Sequence, residues 1–316
     1  MRVAVLGAGG VGGYLGARLH EAGAEVVVLA RGPHLDAIRS NGLTVASPLG
    51  DVRFDPFATD DPAALGRCDY AVVAVKARDT AGLAPHLDGL LGPTGTAVTF
   101  QNGIDHLEVL LGALGSERVL GGVAYILSTI ERPGVVVHTG GPASFVFGPL
   151  DGNGDARALP LRDRLRAAGV EATVSGEVLA AMWDKLGFIV AMAGVTAAAR
   201  VPVGVVRAVP ETWDLFVRLS REACAVARAE GVELPDETSA RHQALAGRLE
   251  PDSRSSLAYD LAHGKPLELD DLHGAILRRA RRHGIPVPMH EAVYAVLRPW
   301  TDPQQTRLNE SPGPKT

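Results

Sequence analysis

The run MWDKLGFIVAMAGVTA, residues 182–197, carries a single charged pair, Asp184 and Lys185, at the head of an otherwise apolar stretch. The chain has 31 basic residues, and only four are lysines: Lys76, Lys185, Lys265 and Lys315. Arginine keeps its protons in proteins, whereas burial readily moves a lysine pKa. A lysine here points to a group that must release a proton; the competing reading is a surface lysine reaching its ammonium out to water. A second candidate lies near the N-terminus, where Gly7-Ala8-Gly9-Gly10-Val11-Gly12 fits G-x-G-x-x-G. It follows an apolar run and opens a helical pattern, with another apolar run about 20 residues on. Gly7 permits the tight turn, Gly9 lets the backbone approach a pyrophosphate, and Gly12 allows a helix to pack closely on a strand. Gly10 and Val11 then lie in the first helical turn, whose free N–H groups and positive dipole end suit phosphate. A glycine-rich turn with no ligand is the alternative.

The second apolar run ends VVVLARGPH. Where NAD enzymes place a carboxylate for the ribose 2′-hydroxyl, this chain has Ala30 and Arg31, and no carboxylate competes at the strand tip. A guanidinium there pairs with a 2′-phosphate, which points to NADPH over NADH; otherwise Arg31 merely follows a strand in an arginine-rich protein. VVAVKARD puts Lys76 after the next run, and VTFQNGID puts Asn102 after the one beyond. Polar residues at the carboxyl ends of parallel strands are where such sheets keep ligand contacts. Lys76 could touch cofactor or substrate. Asn102 both donates and accepts, useful beside a carboxamide or a keto group. Taken singly, each is also an ordinary loop residue.

These residues need elements to position them. Residues 2–7, 24–31, 70–77 and 97–102 read as strands, separated by helical patterns, and their continuous Val/Leu/Ala runs predict a parallel sheet covered on both faces. Residues 121–150, broken by Pro-Gly and Gly-Gly, predict antiparallel strands closing it. A short strand candidate remains in 165–178. From about 177 the period turns helical, and two of the long amphipathic segments end on Gly. The expected fold is α/β: an N-terminal Rossmann-type parallel sheet domain followed by an all-α C-terminal domain. The expected boundaries are 1–175 and 176–308, with a disordered tail at 309–316.

A net charge of -5 argues against a general nucleic-acid surface. Two cysteines are too few for a disulfide framework. The N-terminus reads as a motif rather than a signal peptide, and no uninterrupted apolar stretch approaches the roughly 20 residues of a membrane helix. A cytoplasmic protein, off the membrane, is expected. The ten histidines show no HxxxH or HExxH pair, so no metal site is expected.

With GAGGVG, Arg31, the VKA lysine, the QNG asparagine, RPGVVVHTG, MWDKL and SSLAYDLAHGKPLELDDLHGAILRRARRHGIPVP in this order, the chain resembles ketopantoate reductases to about residue 300. The resemblance implies that Lys185 is the catalytic lysine, protonating the substrate's keto oxygen as hydride arrives from NADPH. It also implies that Glu268 is the acidic catalytic residue, that Ser256 binds substrate, and that Asn102 and Lys76 serve the site. Unaided, Glu268 reads as a solvated first-turn residue and Ser256 as a helix N-cap. The family usually carries asparagines four and eight residues after the lysine, where this chain has Ile189 and Ala193. Spacings of four share one helical face, so the substrate-facing surface beyond Lys185 is apolar. Thr196 is a distant substitute. The expected substrate is therefore a 2-keto acid or related keto compound, or an imine, less polar or larger than ketopantoate; ketopantoate itself stays possible if other residues replace the asparagines. A non-redox protein binding NADPH or performing acid-catalysed cyclisation on the same scaffold is the alternative. The expected partner is a small keto substrate, and the helices fit a monomer or a homodimer equally.

Overall fold

The computed structural model describes residues 1–152 and 155–301. The expected tail at 309–316 lies outside the described residues. The chain divides into two compact units, Met1–Met182 and Trp183–Thr316.

The first unit alternates β1 (Arg2–Leu6), α1 (Gly10–Glu21), β2 (Glu25–Leu29), α2 (Gly32–Asn41), β3 (Leu43–Ala46), β4 (Val52–Phe54), β5 (Phe57–Thr59) and β6 (Tyr70–Val73). It continues through α3 (Thr80–Leu91), β7 (Thr96–Thr99), α4 (Asp105–Leu114), β8 (Val119–Arg132), β9 (Val135–Pro149), α5 (Leu159–Ala167) and β10 (Glu171–Val174). One sheet holds them in the order β4-β3-β9-β8-β7-β6-β1-β2-β5, with β10 beside β9. Strands β5, β2, β1, β6, β7 and β8 run parallel, as the sequence predicts. The Pro-Gly break makes the antiparallel β8–β9 hairpin, and the short strand expected within 165–178 is β10, parallel to β9. Strands β3, β4 and β5, of three or four residues each, were not expected.

Period-2 alternation fills both faces of the sheet. Val3 and Val5 of β1 join one core with Tyr14, Leu15 and Phe145. Ala4 and Leu6 join another with Leu83, Leu87 and Leu110. With roughly 1.5–3 kcal/mol for each buried Val or Leu side chain, two covered faces hold the strand ends rigidly.

The second unit is helical: the greater part of α6 (Val178–Ala199), then α7 (Val203–Ala208), α8 (Pro210–Ala229), α9 (Thr238–Arg248) and α10 (Ser256–Ala262). A single π-helical turn, Asp270–Gly274, leads into α11 (Ala275–His283), and α12 (Pro288–Leu297) follows. Gly284 ends α11 in the left-handed conformation at φ 66, as its place after the amphipathic run predicts. By length and composition alone α6, with 22 residues and a mean hydropathy of 1.6, is long and apolar enough to cross a membrane, although Asp184 and Lys185 interrupt its apolar run as expected. Of that apolar window 61% is buried inside the protein, a test that a packed core helix also passes.

Candidate active site

In the first unit the glycine loop links β1 to α1. Gly7 has φ +103, and a Cβ there would sit 2.7 Å from Val75 N, so the loop lies directly on the carboxyl end of β6. A Cβ on Gly12 would collide with Gly7 O, and one on Gly10 with Ser128 O of β8. Gly9, at the N-cap of α1, would meet nothing within 4 Å. Three glycines are thus required by packing, while Gly9 faces open space. With the N–H groups of Gly10, Val11 and Gly12 in the first helical turn, that space fits a pyrophosphate. His34 fastens the loop: its Nε2–H donates to Ala8 O at 2.8 Å, and its Nδ1 accepts from Gly134 N at 3.0 Å. Burial lowers its pKa, which favours this neutral form.

Arg31 caps the start of α2 and keeps 79% of its side chain exposed. The expectation that no carboxylate competes here is corrected. Asp79, from the connection between β6 and α3, accepts from Arg31 Nη2 at 3.1 Å. Lys76 stands exposed at the start of that connection, where its carbonyl accepts from Asp79 N at 2.8 Å. Asn102 is half-buried after β7. Its neighbour Gln101, to which the sequence assigned no role, holds the place together. Gln101 Nε2 donates to Val75 O at 2.7 Å and to Thr80 Oγ1 at 2.9 Å, while Oε1 accepts from Thr99 Oγ1 at 2.9 Å. Gly7, Lys76, Arg31 and Asn102 therefore lie at the carboxyl ends of four adjacent strands, β2, β1, β6 and β7.

In the second unit Lys185 is half-buried near the start of α6, and burial lowers its pKa from the ordinary 10.5 to about 8. Ile189 is half-buried and Ala193 is 1% exposed, one and two turns along the same face. Glu268 is not the solvated residue that its context implied; it is buried, two residues ahead of the π-turn. Such turns are inserted irregularities and often mark functional positions. The N-cap reading of Ser256 is corrected as well. Ser255 caps α10, its Oγ accepting from Ala258 N at 3.0 Å, and Ser256 is the exposed first helical residue. Thr196 is fully buried, with its hydroxyl 2.7 Å from Met192 O and 2.8 Å from Ser255 Oγ. It ties α6 to α10 rather than replacing a lost asparagine.

Two features of α6 escaped the sequence reading. Gly187 and Gly194, seven residues apart, each admit an imidazole: an added Cβ would lie 2.9 Å from His242 Cε1 and 2.8 Å from His273 Cε1. His242 Nε2 meets Asp184 Oδ1 at 3.1 Å and its Nδ1 meets Ser220 Oγ at 2.8 Å, so α8 and α9 hold the residue preceding Lys185. His290 Nε2–H donates to Leu219 O at 3.1 Å, which leaves its Nδ1 to accept from His273 Nδ1–H at 3.0 Å. Burial pushes the His290 pKa down to about 4, and burial with His290 as neighbour pushes His273 well down.

A sequence profile described as ketopantoate reductase PanE/ApbA matches residues 3–152, and the profile for the C-terminal part of that family matches residues 177–300. The 2-dehydropantoate 2-reductase of Halobacterium salinarum is 34% identical, over 94% of this chain and 98% of its own. The uncharacterized oxidoreductase YkpB of Bacillus subtilis is 31% identical over the same shares, 94% and 98%. The crystal structure of a PanE/ApbA family ketopantoate reductase from Ralstonia eutropha aligns with a TM-score of 0.87 at 33% identity, covering 97% of this chain and 100% of the other. The profiles together span most of the chain, and relatives above 30% identity align along nearly their whole length. The chain belongs to the ketopantoate reductase family, nicotinamide-dependent oxidoreductases acting on keto groups.

Proposed function

We propose that the protein is an NADPH-dependent reductase in which Lys185 donates the proton to the carbonyl oxygen of a 2-keto acid or related keto compound. The observation that carries this reading is Lys185 itself, half-buried on the face of α6 that continues through Ile189 and the buried Ala193, where burial lowers its pKa to about 8. When bound, NADPH supplies the hydride. The open space at Gly9 and the first-turn N–H groups of α1 would hold its pyrophosphate, and the exposed guanidinium of Arg31 its 2′-phosphate. Lys185 stabilises the oxygen that becomes negative and protonates it. A pKa near the working pH lets one group give a proton and regain it in each cycle. Within the second unit Glu268 and Ser256 serve the substrate, and within the first Asn102 serves the cofactor.

Several relatives carry the name 2-dehydropantoate 2-reductase, and ketopantoate is the first substrate to test. The apolar Ile189 and Ala193 favour a less polar or larger keto compound. Each lost hydrogen bond to a polar substrate costs about 1–3 kcal/mol, up to a hundredfold or more in rate.

The test is NADPH oxidation with ketopantoate and a panel of 2-keto acids bearing larger apolar groups, for the wild type and for Lys185→Met and Lys185→Arg. The expected outcome is turnover that favours the apolar panel, with kcat/KM falling as pH rises through about 8. Lys185→Met should lose about 10²–10⁴-fold in kcat. Lys185→Arg should lose the decline above pH 8, because its guanidinium stays protonated. Tight NADPH binding with no reduction of any compound would overturn the reading in favour of a non-redox role.

A further inference from the structure

The Arg31–Asp79 pair bears directly on which nicotinamide cofactor the protein takes. Arg31 is placed where a 2′-phosphate would be recognised, yet its guanidinium already touches a carboxylate at 3.1 Å. Among the described residues only Nη2 is engaged, so the other donors of the fork stay available to a second anion. Any phosphate held by Arg31 then lies within one guanidinium width of Asp79, and the two anions repel. A ribose 2′-hydroxyl in the same place meets the opposite situation, because it can donate to the carboxylate. That pairing is the general means by which dinucleotide folds hold NAD. Asp79 stands at the N-cap position of α3 but makes no side-chain capping bond. Its carboxylate thus aids the helix only through the dipole.

We propose that Asp79 is a cofactor-selectivity residue, accepting the 2′-hydroxyl of NADH and opposing the 2′-phosphate of NADPH at the same guanidinium. The chain then discriminates weakly between the two cofactors where Arg31 alone would discriminate strongly. This inference rests on the reading of the protein as a nicotinamide-dependent reductase with Arg31 at the ribose.

The test is calorimetric titration of the full-length protein with NADPH and with NADH, for the wild type, Asp79→Asn, Asp79→Ala and Arg31→Met, with circular dichroism confirming the fold of each. Asp79→Asn should tighten NADPH about tenfold, the size of one partly screened like-charge contact, and should leave NADH unchanged or weaker. Asp79→Ala should move the NADPH:NADH ratio in the same direction. Arg31→Met should weaken NADPH while sparing NADH. If folded Asp79 variants keep the wild-type ratio, or shift both cofactors equally, the proposal falls while the reductase reading stands. If the wild type binds neither cofactor, both fall.

Discussion

The glycine loop separates two roles that one motif usually blends. Gly12 is needed by the fold, since a Cβ there would strike Gly7 O, whereas Gly9 borders empty space. Gly12→Ala should therefore destabilise the first unit by several kcal/mol, as forced overpacking against backbone does, and lower its thermal midpoint. Gly9→Ala should fold with an unchanged midpoint and lose at least about tenfold in cofactor affinity, because its methyl group fills the space where a pyrophosphate would approach the backbone. The pair is measured by thermal unfolding and calorimetric titration. Equal losses of stability in both variants would show that Gly9 is a packing residue. Much of this was legible in the sequence, because the motif is contiguous and its glycines act on one another. Asp79 was not legible: it reaches Arg31 across 48 positions, and only the parallel pairing of β1 with β2 and β6 brings their ends together.

At the scale of elements, the expectations held where patterning was long and local. The Val-rich strands, the Pro-Gly hairpin and the amphipathic helices each bury a continuous face, and burial is what the patterning encodes. The misses are short or irregular. Strands β3 to β5 offer too few residues for a period to show, and the π-turn at Asp270–Gly274 leaves no sequence mark. Adjacent serines hid which one caps α10. Gln101 carries no role in the sequence, since a glutamine after a strand has no distinctive spacing. Its side chain nevertheless joins the end of β7 to both sides of the β6–α3 connection. Gln101→Leu keeps the volume but strands Val75 O and Thr80 Oγ1 in a buried setting. A destabilisation of about 2–3 kcal/mol is expected in urea unfolding, with weaker cofactor binding as Lys76 and Asp79 lose their support. A variant with wild-type stability would show that water or backbone takes over these bonds.

At the scale of the whole molecule, the helical unit should lose stability in mild acid. The His273–His290 pair lies inside the helical unit and is held neutral by burial. An unfolded chain takes up protons on these imidazoles below the ordinary 6.5, whereas folded His290 resists until about 4. The unfolded state therefore binds more protons over that interval, and stability is lost as pH falls from about 6.5 toward 4. All three tryptophans, Trp183, Trp213 and Trp300, belong to the helical unit, so indole fluorescence follows its unfolding selectively. Urea midpoints read this way should drop between pH 7 and pH 5, and His290→Gln should flatten the dependence. The lowered pKa of Lys185 has a further consequence, for chemical durability. An amine half in its free-base form near pH 8 is a nucleophile as well as an acid. Such an amine condenses with carbonyl compounds, so stray aldehydes should mark this protein first at position 185, and the apolar helix that lowers the lysine pKa carries its own point of covalent injury.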